Sequence, residues 1–240
     1  MQSVIKLLLY ENQINKLIKK FEHHKEIEFI DQIIRHLKLS FNSHYLEKLD
    51  INKRYIFVCN HPTGILDGLI ILKALSSDFK PQIISNDIIN YFSNIKKLLL
   101  PVNWFGKINK TQTTNLINAL KSNKQIILFP AGEVSKLGFL GIKDKKWNPF
   151  FIKKAIKYNR DIVPVLISGK NSFWFYLLST FRSLLKIKFH LEIFLLIHEL
   201  FNKKDQIIHL KFGVPISHET LLNSNKNYDA ERIQTLASSL

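Results

Sequence analysis

A single cysteine, Cys59, occurs in the 240-residue chain, so no intramolecular disulfide can form and nothing in the sequence points to an oxidising compartment. Acidic residues are also scarce: 19 Asp and Glu stand against 35 Lys and Arg, giving a formal charge of +16 and a pI near 9.8. That imbalance suits an anionic partner, a nucleic acid or an anionic membrane surface, although lysines dispersed along the chain also fit a plain Lys-rich composition. No uncharged segment reaches the ~20 apolar residues that span a bilayer. The most apolar stretch, residues 173–201, carries Arg182, Lys186, Lys188 and Glu192. The N-terminus has no basic n-region and no small-residue cleavage site, and Lys6 interrupts its apolar core, so it does not read as a signal peptide. If the protein meets membrane, it is expected to lie on it.

Several catalytic signatures are missing as well. No G-x-S-x-G elbow occurs, which removes support for a hydrolase of that design. "SGKNS" at 168–172 is no P-loop, because Pro164 stands where the first glycine is required. "EHHKE" at 22–26 falls on a surface-like helix, and no metal-ligand spacing is found, so no metal is expected. No known DNA- or RNA-binding motif accompanies the positive charge. There is no internal repeat, no low-complexity linker and no clear domain boundary.

What is present reads as one globular α/β domain, with 46% apolar and 22% charged residues. Ile14, Leu17, Ile18 and Phe21, then Ile27, Ile30, Ile34 and Leu37, fall at helical spacing. The first forty residues are therefore expected to form two amphipathic helices, packed on a domain running from 41 to 240 or lying on anionic lipid. Segments then alternate: "RYIFVC" strand, Ile65 to Leu75 helix, "PQIIS" strand, Asp87 to Leu100 helix, "TTNLINALKS" helix, "KQIILFP" strand, "NPFFIKKAIKY" helix and "DIVPVLIS" strand. The strands are apolar almost throughout, as where helices cover both faces of a sheet. A helical aromatic stretch from Ser172 to Leu185, strand candidates "KFHLEIFLLI" and "QIIHLKFGVPI", and a C-terminal helix from about Tyr228 complete the pattern. The aromatic stretch reads first as core, with a wall of an apolar groove and membrane contact as the alternative.

One polar cluster interrupts an apolar run in "FVCNHPTGILDGLIIL", Phe57 to Leu72. It sits at a strand-to-helix junction, where open α/β folds build sites. Pro62 stiffens the exit, Thr63 suits an N-cap, and Gly64 permits a tight turn or close approach of a ligand. Asp67 falls in the first helical turn, where an ionised carboxylate is favoured and can reach back to His61. The pair is the base and orienter half of a triad without its nucleophile. Such a pair suits direct transfer, in which His61 deprotonates a substrate hydroxyl or amine that attacks an activated acyl group. Two other readings are a structural histidine beside a turn, and a Cys59 nucleophile served by His61.

Four ordered blocks, "NHPTGILDG" at 60–68, "PVNWFGKINK" at 101–110, "FPAGEVS" at 129–135 and "IVPVLISG" at 162–169, carry a resemblance. The sequence resembles the glycerolipid, lysophosphatidate-acyltransferase-like family, and more closely its bacterial hemolysin-like, aminolipid acyltransferase branch. The resemblance implies a mixed sheet flanked by helices, with N-terminal amphipathic helices. It implies acyl transfer from an acyl carrier protein or coenzyme A thioester, with no cofactor, to a lyso-lipid acceptor. His61 would be the general base and Asp67 its orienter, with substrates against Asn60, Thr63, Gly64, Lys107, Pro130, Gly132, Glu133 and Ser135. The implied location is peripheral, on the cytoplasmic face of the inner membrane.

Two departures stand out. Five residues separate His61 from Asp67, where the family usually has four. Ala131 and Val134 replace the family's usual Glu and Arg in the third block, residues that hold a glycerol or phosphate, which weighs against a phosphorylated glycerol acceptor and towards a lyso-aminolipid. Lysophosphatidate acylation is the alternative within the class. A nucleic-acid-binding protein and a membrane-lytic protein are alternatives outside it.

Overall fold

The computed structural model describes residues 11–85, 93–102, 109–138, 141–185 and 195–240. Its elements are α1 (Glu11–Lys20), α2 (Glu26–His36), β1 (Ser40–His44), β2 (Tyr55–Cys59), α3 (Ile65–Leu75), β3 (Pro81–Ser85), β4 (Leu99–Pro101), α4 (Lys110–Lys121) and β5 (Gln125–Leu128). They continue with β6 (Lys136–Gly138), β7 (Gly141–Lys143), α5 (Phe150–Tyr158), β8 (Asp161–Ile167), α6 (Phe173–Leu184), α7 (Leu196–Asn202), β9 (Ile207–Phe212) and α8 (Lys226–Ser238). Among the described residues, seven strands form one sheet in the order β1-β9-β8-β2-β5-β3-β4, while β6 and β7 make a separate antiparallel hairpin. The five strands from β8 to β4 are mutually parallel, and β9 runs antiparallel to β8. The α/β expectation, a mixed sheet flanked by helices, holds.

Strand alternation divides the core. Tyr55, Phe57 and Cys59 of β2 point to one face, into a cluster with Phe29, Ile30 and Ile33 of α2 and Leu66, Leu69 and Ile70 of α3. Ile56 and Val58 point to the other, against Phe151 and Ile152 of α5 and Ala230 and Ile233 of α8. Both faces of the central strand are dry, which is why its sequence is apolar without alternation. Ile14 and Leu17 of α1 are buried in the same cluster as β2, while Lys16, Lys19 and Lys20 face solvent.

Three sequence expectations change. Within the expected helix from Asp87 to Leu100, residues 87–92 lie outside the described residues, Ser93–Leu98 is a 3₁₀ helix, and Leu99–Pro101 is β4, paired parallel to β3. Leu99 and Leu100 are buried on opposite sheet faces, and a short apolar run carries no period that separates strand from helix. In "KFHLEIFLLI", residues 188–194 lie outside the described residues, but Leu196 and Ile197 open α7 rather than ending a strand. There Glu199 and Lys203, both buried, pair one turn apart at 3.1 Å, a contact that requires helical spacing. The sequence reading also missed β1, a mostly exposed polar edge strand, and the β6–β7 hairpin, whose strands are three residues each.

Arg160 anchors the end of the sheet opposite the strand exits. It is fully buried, and its guanidinium donates to the carbonyls of Leu120, Tyr55, Lys124, Ala119 and Ser122 at 2.6–3.1 Å. Burial pushes its pKa down to about 10. Arg160→Met strands these carbonyls in a dry site, and we expect it to lower the unfolding free energy by about 3 kcal/mol or more in urea titrations. An unchanged midpoint would show that the cage contributes nothing.

Candidate active site

Three adjacent parallel strands, β5, β2 and β8, release their chains at the same sheet edge, which is where an open α/β sheet leaves a crevice. The first and third sequence blocks follow the exits of β2 and β5, and the fourth is β8 itself with the two residues that leave it. The second follows β4 at the far edge, and its Lys107 lies outside the described residues.

His61 leaves β2 and meets Asp67 of α3, with Nδ1 2.9 Å from Oδ2. Asp67 is 1% exposed and also accepts from the backbone N–H groups of Thr63 and Gly64, each at 2.9 Å, and from the Thr63 hydroxyl at 2.5 Å. A carboxylate surrounded by donors is an acceptor, so His61 Nδ1 carries its hydrogen and Nε2 keeps its lone pair. Nε2 has no hydrogen-bond partner among the described residues, and 18% of the His61 side chain is exposed. The imidazole stacks on Phe129 at 4.0 Å between centroids and 16° between planes.

The extra residue between His61 and Asp67 does not separate them. Gly64 adopts φ +87° and ψ −117°, and a Cβ there would stand 2.7 Å from a methyl of Leu196. Only glycine accommodates both the backbone and the contact, so the chain turns tightly enough to close the pair. Gly169, after β8, plays a similar part: a Cβ there would lie 2.8 Å from the Thr63 methyl.

The main chain of His61 is gripped by Ser135 of the third block and by Asp144 beyond it. Its N–H donates to Asp144 at 3.2 Å, and its carbonyl accepts from the Ser135 N–H at 2.8 Å. Ser135 Oγ donates to the same Asp144 oxygen at 2.5 Å, and Trp147 Nε1 donates to the other oxygen at 2.9 Å. Sequence reasoning missed Asp144. It lies outside the four blocks, and no local pattern links position 144 to position 61.

The other sequence candidates are placed as follows. Asn60 exchanges two hydrogen bonds with Ile167, Nδ2 to the carbonyl at 2.9 Å and Oδ1 from the N–H at 2.7 Å, so its amide splices β2 to β8. Pro130 is buried. Gly132 has φ +71° and open space where a side chain would be, but its N–H donates to the Phe129 carbonyl at 3.1 Å and belongs to the turn. Glu133 pairs with Lys136 and, at 3.7 Å, with Lys145. Ser135 is 3% exposed, with both polar groups engaged in gripping His61. Cys59 is fully buried, and burial, with the carboxylates of Asp67 and Asp144 adding to it, pushes its thiol well above the usual range; a thiolate nucleophile is disfavoured. One further polar side chain stands out: both ends of the Asn171 carboxamide are buried without a hydrogen-bond partner. Its N–H donates at 3.0 Å to the Tyr176 hydroxyl, whose pKa rises with burial and with the negative charge of Glu199 and Asp67.

Among the described residues no three His, Cys, Asp or Glu side chains gather as a metal site, and no helix is long and apolar enough to cross a membrane.

The strand-exit His–Asp pair in a mostly parallel sheet is the candidate site, and comparison with known proteins gives the class of the chain. The chain belongs to the acyltransferase family, whose model matches residues 3–232. It is 30% identical over 220 residues to the lyso-glycine lipid O-acyltransferase of Bacteroides thetaiotaomicron, across 91% of this chain and 81% of that protein. It is 28% identical to the lyso-glycine lipid O-acyltransferase of Phocaeicola vulgatus, across 91% and 79%. The fold matches the crystal structure of the 1-acyl-sn-glycerophosphate (LPA) acyltransferase PlsC from Thermotoga maritima, with TM-score 0.54 and 15% identity over 98% of this chain and 94% of that one. At that identity the likeness concerns the fold alone.

Burial raises the Asp144 carboxyl above its ordinary value of 3.8. Below that value folded and unfolded forms are both protonated; as pH rises towards the raised folded value, the unfolded chain ionises first and stability falls. Asp144→Asn removes this term. The stability of the variant relative to the parent should therefore increase with pH across that interval and then level, as followed by urea unfolding at a series of pH values. A flat difference would overturn the assignment.

Proposed function

We propose that the chain moves a fatty acyl group from an acyl carrier protein or coenzyme A thioester to the hydroxyl of a lyso-aminolipid of the glycine type, working peripherally at the cytoplasmic face of a membrane. The observation that carries the reading is the His61 imidazole, oriented through Nδ1 by Asp67 with Nε2 unpartnered, in a member of the acyltransferase family. The names of the two relatives and the loss of the usual phosphate-holding residues at Ala131 and Val134 support the acceptor class.

In this reading Nε2 takes the proton of the acceptor hydroxyl as its oxygen attacks the thioester carbonyl. The tetrahedral intermediate collapses, the C–S bond breaks, and the thiolate leaves with the proton now on His61, giving an ester and a free thiol. The resulting imidazolium faces the Asp67 carboxylate throughout. No cofactor enters these steps. The charge of +16 suits an acidic carrier protein as donor and anionic lipid as surroundings.

His61→Ala is expected to lower kcat by at least about 10²-fold, and Asp67→Asn to do likewise by losing the imidazole's orientation. Near-unchanged turnover in both folded variants, measured with lyso-glycine lipid and an acyl thioester, would sink the mechanism.

Acceptor choice is tested separately at Asn171. An unpaired buried carboxamide offers a donor end and an acceptor end, the complement of the amide in a glycine-type head. Asn171→Leu should raise KM for lyso-glycine lipid about tenfold or more and leave that for lysophosphatidate unmoved. Equal effects on both would place Asn171 in the scaffold, and faster turnover of lysophosphatidate by the parent would favour the phosphatidate-forming reading.

A further inference from the structure

Helix α6 is inverted in polarity. Its protein-facing side buries Phe175 and Tyr176 together with the polar Ser179 and Arg182, whereas its described solvent side, apart from Thr180, is apolar. Phe173, Leu177, Phe181 and Leu185 recur every four residues as one ridge, 68%, 44%, 59% and 57% exposed, and Trp174 beside it is 69% exposed. Leu137 of β6, 51% exposed, adds to the patch, because the β6–β7 hairpin packs against α6. Scattered apolar residues on a surface are ordinary, but a contiguous ridge with two phenylalanines and a tryptophan marks an interaction site.

We infer that this face of α6, with the β6–β7 hairpin, is the surface that docks the protein on an anionic bilayer and presents the His61 site to it; the inference rests on the proposed lipid acceptor. Charge identifies the occupant. Two exposed lysines, Lys170 three residues before α6 and Lys143 on the strand paired to β6, have no carboxylate partner among the described residues, in a chain of net charge +16. A basic rim around Trp, Phe and Leu is the chemistry of a helix lying in the headgroup plane, with its apolar side a few ångströms into the acyl boundary. A second copy of this chain would bring the same net positive charge to that rim and be repelled. Placement adds a second reason. The chain entering α6 comes from the loop whose Gly169 abuts Thr63, and the chain entering β6 comes from Ser135, which grips His61. The patch thus flanks both sides of the catalytic turn, and an acceptor held in the leaflet needs no extraction across water. Helix α1, by contrast, buries Ile14 and Leu17 in the core and has no apolar face left to insert.

The test is vesicle co-sedimentation of the full chain with phosphatidylcholine alone and with added phosphatidylglycerol. The parent should bind the mixed vesicles, with Trp174 fluorescence shifting to the blue and quenched by brominated lipid. Combined Phe173→Ser, Trp174→Ser and Phe181→Ser, all at exposed positions, should weaken binding at least tenfold without lowering the thermal midpoint. Lys143→Glu with Lys170→Glu should weaken binding only where phosphatidylglycerol is present. Undiminished binding by the triple variant would overturn the inference. So would a parent that ignores both vesicles but forms a dimer that the triple variant loses. His61→Ala should bind as the parent does, so a failure of acyl transfer with intact vesicle binding would strike the proposed reaction and leave the docking surface standing.

Discussion

The carboxylate of Asp67 is the constraint on which the site depends. It is buried at the first turn of α3 and takes four donors at once: the imidazole of His61, the hydroxyl and N–H of Thr63, and the N–H of Gly64. Two of those donors are backbone groups that a helix start would otherwise leave unpaired, so the same oxygens that cap the helix also hold the histidine. The orientation of His61 and the start of the helix become one requirement. A substitution that loosened the imidazole would also loosen the start of the most buried helix near the site.

A second set of contacts makes that geometry rigid from outside. Ser135 and Asp144 hold the carbonyl and the N–H of His61, and Asn60 ties the preceding residue to Ile167. The histidine is therefore fixed by its neighbours in three dimensions as well as by Asp67. Residues whose types suggested contact with substrate, Asn60 and Ser135 above all, instead spend their hydrogen bonds on the scaffold. If His61 is the base of the proposed reaction, preorganisation of this kind keeps it within the narrow range of positions that proton transfer requires.

The inverted polarity of α6 follows from the same layout. On the proposed function, an edge that receives a lipid is not covered with polar helices on every side. The strand exits hold the candidate site, the loops after β5 and β8 lead away to the hairpin and α6, and the apolar surface lies on those two elements. The described residues thus divide: α1 and α2 complete the core, the strand exits hold His61 and its partners, and α6 with β6 offers an apolar surface.

Much of the fold was legible because short-range chemistry dictated it. Unbroken apolar strands announced a sheet covered on both faces, and the bounds of α3 and β3 were readable to the residue from Gly64, Pro81 and the apolar runs. The His61–Asp67 pair was readable too, since both lie in one turn and the helix start draws a carboxylate inward. Tertiary structure decided the rest. Whether Leu99 joined a helix or a strand depended on β3 beside it. The part played by Asp144 depended on a hairpin that brings position 144 to position 61, and the outward face of α6 depended on what the core left uncovered. The physical reason is that sequence encodes what neighbours within a turn can do to one another. Contacts made across the sheet edge exist only once non-adjacent strands have paired.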